Sequence, residues 1–340
     1  MREKLMVATR GQTHRATSRA KSTHKTGGCD LVQQKDIKWQ HTQRTTNETQ
    51  NNMWRGLLIL LCCCCCCCLT SCLEDQLQDS KIVNGTVAAK GEFPYAVSLR
   101  RSKSGHHSCG GTLLNAGWVL TAAHCVRSAN PQDVNVQYGS NIIARNATQL
   151  ATVQAIFVHP GYEPQNKHFN DIALLQLQQP LILDALVQPV RLPSAEQMTL
   201  ANSSVVLAGW GLNATGGVVQ HQLMKVQLQA FSDQDCSNLH QVQLHATQLC
   251  AGVPEGGKGQ CSGDSGGPLL LAGSDTQVGI VSWSIKPCTR PPYPGVFTEV
   301  SAYVDWIVAT VATAPNNDPA TSQLWIGELI VARVPPPLVA

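Results

Sequence analysis

Between residues 82 and 312 apolar positions come in short runs, and Gly, Pro and Asn break them at intervals of about ten residues. The runs at 95–99, 118–121, 134–138, 150–158, 172–177, 205–207 and 278–283 are rich in residues that suit a pleated, half-buried surface. They predict strands, and strands spaced this way predict an all-β sandwich or barrel. Helical periodicity is convincing only over 303–311, where apolar residues fall at 303, 304, 307, 308 and 311.

The two ends have a different texture. Residues 1–52 are polar, basic and unpatterned. Met53-Trp54-Arg55-Gly56 followed by the apolar stretch 57–69 has the form of a secretory signal, with the cysteines 62–68 acting as small hydrophobes. Those thirteen residues fall short of the ~20 that a membrane-crossing helix needs. The favoured reading is a signal peptide over 53–72, with 1–52 an over-extended start. The competing reading is a membrane anchor through 57–73 with a basic cytoplasmic arm. A short acidic stretch, 74–80, then leads to Lys81. Residues 313–340 are Pro-rich and less regular, and read as a loose tail without a functional account.

At 340 residues the chain can bury a substantial core, and with charged residues at only 14% it reads as folded rather than disordered. The net charge of +3 is uneven. Residues 1–52 carry ten Lys/Arg against four Asp/Glu, whereas 82–312 carry twelve against thirteen. The folded part is therefore close to neutral, and no basic surface there points to nucleic acid. Of fifteen cysteines, nine lie before residue 80. The remaining six are Cys109, Cys125, Cys236, Cys250, Cys261 and Cys288. An even set behind a targeting signal implies three disulfides in an oxidising compartment. No Cys-x-x-Cys pair occurs among them, which weakens a metal reading.

Three local motifs carry candidate chemistry. Leu120-Thr121-Ala122-Ala123-His124-Cys125 sets a His at the end of an apolar run, Asn170-Asp171-Ile172-Ala173 sets a carboxylate before one, and Gly263-Asp264-Ser265-Gly266-Gly267-Pro268 sets a Ser among glycines. Singly, each has an ordinary reading as a partly buried His, a turn Asp or a loop Ser. Together they supply what nucleophilic acyl transfer needs: a hydroxyl, a base titrating near neutral pH, and a carboxylate to fix the imidazole tautomer.

With these residues in view, the chain from Ile82 to about residue 312 resembles the trypsin/chymotrypsin family of serine proteases. The resemblance rests on Ile82-Val83-Asn84-Gly85, Ser108-Cys109-Gly110-Gly111, the three motifs in the order His, Asp, Ser, Ala208-Gly209-Trp210-Gly211 and Gly279-Ile280-Val281-Ser282-Trp283. It implies two six-stranded antiparallel β-barrels with the active site in the cleft between them and a C-terminal helix. It also implies His124 as general base and acid, Asp171 as its orienter, Ser265 as nucleophile, and the N–H groups of Gly263 and Ser265 as the oxyanion hole. Ser282, Trp283 and Ser284 match the segment that pairs with the substrate backbone. The family's disulfide pattern pairs Cys109–Cys125, Cys236–Cys250 and Cys261–Cys288.

The resemblance further makes Lys81-Ile82 an activation site. Cutting there frees an α-amino group at Ile82 that pairs with Asp264, and His107 matches the position that holds that Asp beforehand. Because the cut follows Lys, the activator is expected to be trypsin-like. Primary specificity is expected from Gly259, six residues before the nucleophile, where trypsin-like members carry Asp. A substrate cation would lack a partner there, which argues against cutting after Lys or Arg. Small walls at Ser284 and Gly295 leave depth for a bulky apolar side chain, while Gln260 can shorten the pocket. Chymotrypsin-like preference is narrowly favoured over elastase-like. The loop 140–145 has no carboxylates, so calcium is not implied, nor is any other metal or cofactor. Asn146, Asn202 and Asn213 begin glycosylation sequons, and so does Asn84, which is expected to stay unmodified. Protein or peptide substrates and protein inhibitors are the expected partners of a monomer. The rival from another class is an inactive homologue that uses the same fold to bind.

Overall fold

The computed structural model describes residues 82–315, 323–327 and 329–331. The leader, signal and activation segments expected over 1–52, 53–72 and 73–81, with Lys81, lie outside the described residues. Strands β2 (Ala96–Arg101), β3 (His107–Asn115), β4 (Trp118–Thr121), β5 (Val134–Gln137), β6 (Leu150–Val158) and β7 (Ala173–Leu177) close into a first barrel in the order β2-β3-β4-β7-β6-β5. Strands β8 (Ser204–Gly209), β9 (Met224–Ala230), β10 (Gln248–Gly252), β11 (Pro268–Leu271), β12 (Gln277–Trp283) and β13 (Gly295–Glu299) run as β9-β10-β13-β12-β11-β8, and a β8–β9 pairing closes this second set. A two-residue strand, β1 (Thr86–Val87), adds to β9 at the edge. All of these pairings are antiparallel.

Local patterning explains the two kinds of strand. In β9, Met224, Val226, Leu228 and Ala230 are buried while Gln227 and Gln229 are exposed, a period of two with one wet face. In β7 every residue is buried, and its apolar run is broken only by Gln176, whose Nε2 donates to the Pro315 carbonyl. Val97, Leu113, Leu120, Val136 and Leu174 fill the first barrel, and Val205, Leu207, Leu249 and Phe297 the second. Burying such side chains contributes about 1.5–3 kcal/mol each before entropy is counted.

Helix α1 (Ala123–Val126) is a single turn after β4. Helix α3 (Val304–Thr313), behind a 3-10 turn, is the C-terminal helix expected from periodicity, shifted by one or two residues. Helix α2 (Asp233–His240) was not expected, because Asp-Gln-Asp-Cys-Ser-Asn-Leu-His has no apolar stripe. Its start is nonetheless written in the sequence: Ser232 Oγ accepts from Asp235 N at 3.0 Å, the N-cap interaction. The structure joins Cys109 to Cys125, Cys236 to Cys250 and Cys261 to Cys288, the pairing that the resemblance implied.

Part of the tail is ordered against the rest. Strands β14 (Leu324–Ile326) and β15 (Leu329–Val331) form a hairpin. Leu192 N donates to Trp325 O at 2.8 Å and Gly327 N to Leu192 O at 2.9 Å. The Arg191 guanidinium lies 4.7 Å over the Trp325 ring, and Leu324 is buried in the first core. Backbone pairing of 324–326 with 329–331 makes a hairpin of a stretch that its Pro-rich surroundings made look irregular. Among the described residues no helix is long and apolar enough to cross a membrane.

Candidate active site

His124 and Asp171 are 47 residues apart in sequence, and strand pairing removes that distance. β4 runs antiparallel to β7 with Thr121 opposite Ala173, so the residues just beyond those strand ends lie side by side. His124 sits on α1 after β4, and Asp171 two residues before β7. His124 Nδ1 meets Asp171 Oδ2 at 2.7 Å, and His124 N donates to Asp171 Oδ1 at 2.9 Å. The Ser282 hydroxyl donates to the same Oδ2 at 2.6 Å. Asp171 is wholly buried, so each donor compensates a charge that water cannot reach. With Asp171 ionised, His124 Nδ1 carries the proton and Nε2 is left as a base.

Ser265 lies on the tight loop before β11. Its carbonyl accepts from Gly110 N of β3 at 2.8 Å, and Thr121 Oγ1 donates to the Gly110 carbonyl at 2.9 Å. The first barrel thus grips the loop from the side that carries His124. Among the described residues the Ser265 hydroxyl makes no hydrogen bond to His124; such bonds commonly tighten only in the substrate complex. The backbone around Ser265 is more telling. The N–H groups of Asp264, Gly266 and Gly267 donate to Cys261, Val281 and Asp264 carbonyls, whereas those of Gly263 and Ser265 donate to none of the described residues. Gly263 has φ +97, and a Cβ there would come within 3.1 Å of Gly211 Cα. Glycine at this position keeps the loop in a conformation that presents unspent donors.

Asp264 is also wholly buried. Its Oδ1 accepts from Gly211 N at 2.8 Å and its Oδ2 from Cys261 N at 2.9 Å. Burial pushes its pKa up to about 6, with the two amides and the charge of Lys286 pulling the other way. Ile82 is buried in the second core. The His107 ring bridges Ser98 Oγ and the Gly263 carbonyl, each at 2.8 Å, and in this structure does not hold Asp264. Burial holds the His107 pKa down at about 4, so the ring is neutral.

The expected specificity residues share one recess. Gly259, Gln260, Ser284 and Gly295 line it with Thr289 and Tyr293, and its free volume is only about 10 Å³. Gln260 lies across it, donating Nε2 to the Trp283 carbonyl at 2.7 Å. A Cβ on Gly295 would fall 2.8 Å from Gln260 Cδ, so the glycine is what lets the amide lie there. Ser284 lines the recess and the Trp283 carbonyl holds Gln260, whereas the Ser282 side chain turns inward to Asp171. Sequence reasoning passed over His168 and Tyr162, whose signal was proximity to Asp171 and a short His-Phe-Asn-Asp cluster.

Comparison with known proteins agrees with this geometry. The family model described as Trypsin matches residues 82–307. The chain is 37% identical over 238 residues to kallikrein-7 of Homo sapiens, covering 70% of this chain and 90% of that protein. It is 40% identical over 238 residues to trypsin-1 of Astacus astacus, covering 67% and 99%. It is 37% identical over 238 residues to trypsin of Xenopus laevis, covering 69% and 92%. Paired His124 and Asp171, a Ser265 loop with two unspent amides, two antiparallel barrels and a family match across both of them lead to one conclusion: the chain belongs to the trypsin family and is a serine peptidase.

Proposed function

We propose that the chain is a secreted zymogen whose activated form cleaves peptide bonds after small apolar residues. His124 takes the Ser265 proton as the hydroxyl attacks the scissile carbonyl, and returns it to the leaving amine. Asp171 holds the imidazole tautomer and stabilises the imidazolium. The Gly263 and Ser265 amides receive the oxyanion, a contribution of about 3–4 kcal/mol per donor in comparable sites. The observation that carries this reading is the 2.7 Å contact of His124 with buried Asp171.

Activation follows cleavage after Lys81. The freed α-amine of Ile82 pairs with Asp264, which otherwise has two backbone amides for a buried charge. The near-filled recess favours the elastase-like choice over the chymotrypsin-like one, because Gln260 occupies the depth that a bulky side chain would need. Gly259 offers no carboxylate to a Lys or Arg, so the activator is a separate trypsin-like protease. Secretion is supported by the disulfides and the signal-like stretch 53–72, and Asn146 and Asn202 are exposed where glycans would attach. Protein inhibitors that mimic substrate are the other expected partners, and the enzyme is expected to act as a monomer.

To test this, the secreted chain is cut after Lys81 with a trypsin-like protease, labelled with a fluorophosphonate and profiled on a peptide library. Labelling is expected at Ser265 only after the cut, with cleavage peaking at small apolar residues. Labelling without the cut would sink the zymogen reading, and a profile peaking at Lys or Arg would sink the specificity reading.

A further inference from the structure

A cavity of about 930 Å³ opens where the two barrels meet the stretch that joins them. Phe93 and Tyr95 reach it just ahead of the first barrel, Val226 and Leu270 from the second, Arg191 from the joining stretch and Trp325 from the β14–β15 hairpin. Four of its charged residues are already matched: Lys225 pairs with Glu92, and Arg191 meets Asp275 at 3.2 Å. Tyr95 is only 4% exposed, yet its hydroxyl makes no hydrogen bond among the described residues. Burial first, then the charges of Asp275 and Glu92, raise its pKa, so the hydroxyl stays a donor. Both carboxylates stand on the cavity wall, which turns that donor towards the cavity and not the core. A buried donor without an acceptor costs about 1–3 kcal/mol until something supplies one.

We propose that this cavity seats the chain's own segment Val334-Pro335-Pro336-Pro337-Leu338 as a short polyproline helix. Proline has no N–H, so a run of three presents apolar rings and carbonyl acceptors and asks for no acceptor in return. The cavity offers the complement: the rings of Phe93, Tyr95 and Trp325, and one unspent hydroxyl to donate. Aromatic-lined grooves of this kind are where Pro-rich segments dock. A charged segment fits less well, because Glu92 and Asp275 already have their cations.

The segment is within reach. In the hairpin Ile330 pairs with Trp325, which is itself on the cavity wall, and β15 ends one residue later at Val331. A polyproline helix rises about 3.1 Å per residue, so the three prolines fall within roughly 12–19 Å of Val331. Seating them costs little ordering entropy, because a proline run is close to this conformation beforehand. The seat also adjoins Asn84, Gly85 and Thr86, and Asn84 Nδ2 donates to Gly257 O at 2.8 Å. Lys258 lines both this cavity and the specificity recess. A tail held here therefore lies against the residues that follow Ile82 and those that lead into the recess.

The test has two arms, neither of which needs an active enzyme. In the first, the full chain carries the photo-reactive substitution Leu338→p-benzoylphenylalanine, and its cross-links are mapped by mass spectrometry. They are expected within one chain, at Phe93, Tyr95, Val226 or Leu270, with a yield that does not change on dilution. In the second, a fluorescent peptide of sequence Arg-Val-Pro-Pro-Pro-Leu-Val is titrated by anisotropy into the full chain and into a chain ended after Ala332. The ended chain is expected to bind at least about tenfold more tightly, because its seat has no tethered competitor. Tyr95→Phe in the ended chain keeps the ring and is expected to weaken binding about three- to tenfold, with its thermal midpoint as the control for folding. Cross-links away from the cavity overturn the proposal, and so do cross-links only between chains, which would make a second copy the occupant. Equal binding of the peptide to both chains, no binding to either, or no effect of Tyr95→Phe overturns it as well.

Discussion

Asp171 and Asp264 are both fully removed from water, one beside each barrel, and they are supported in different ways. Asp171 accepts from an imidazole, a hydroxyl and a backbone amide. Asp264 accepts from two backbone amides, and burial lifts its pKa to about 6. The first carboxylate is finished in the single chain. The second has fewer donors, which is why the proposed activation step is placed on it.

The comparison can be broken most severely at Asp171. Asp171→Asn is expected to lower kcat by about 10⁴-fold, because the amide supports the wrong imidazole tautomer. A fall under tenfold in steady-state kinetics would mean that His124 does not depend on this partner. Next in size, Ile82→Gly is expected to be cut after Lys81 yet lose on the order of 10²–10³ in kcat/KM, the cost of a poorly anchored buried pair. Full activity in the cut variant would remove the activation role from Asp264.

A pH measurement sharpens the contrast without mutation. The Asp264 carboxyl has a raised pKa in the folded chain, about 6 against an ordinary 3.8, so the folded form binds its proton more tightly. Its contribution is therefore fully present below pH 3.8 and is lost as pH rises towards 6, by roughly 3 kcal/mol. Denaturant unfolding of the uncut chain across that range should show this loss, and cutting after Lys81 should flatten it. An equal slope before and after the cut would contradict the pairing. Smallest in expected effect is Gly211→Ala. A Cβ there collides with the Asp264 carboxyl, at a cost of about 1–3 kcal/mol in thermal or denaturant unfolding.

Much of this was legible in the sequence, for reasons that differ by element. The strand at 118–121 and the C-terminal helix announce themselves because their burial pattern is local. His124, Asp171 and Ser265 were legible as candidates because each sits in a motif with its own backbone requirement. The inward turn of Ser282 was not, since a hydroxyl on a strand has two faces to choose from and only the packed barrel selects one. Helix α2 escaped because its support is a cap and a disulfide, not an apolar stripe. His168 escaped because the ring it faces, His124, comes from a segment 44 residues earlier. The depth of the recess was open for a similar reason: it depends on where one Gln side chain lies, and residue identity alone does not say.

The hairpin of β14 and β15 has a mechanical consequence. It lies along Arg191 and Leu192, on the stretch of chain that passes from β7 to β8, and its Leu324 is seated in the first core. It braces the stretch that links the two barrels against the first core. A chain ended at residue 312 would keep every residue of the candidate active site and lose that brace.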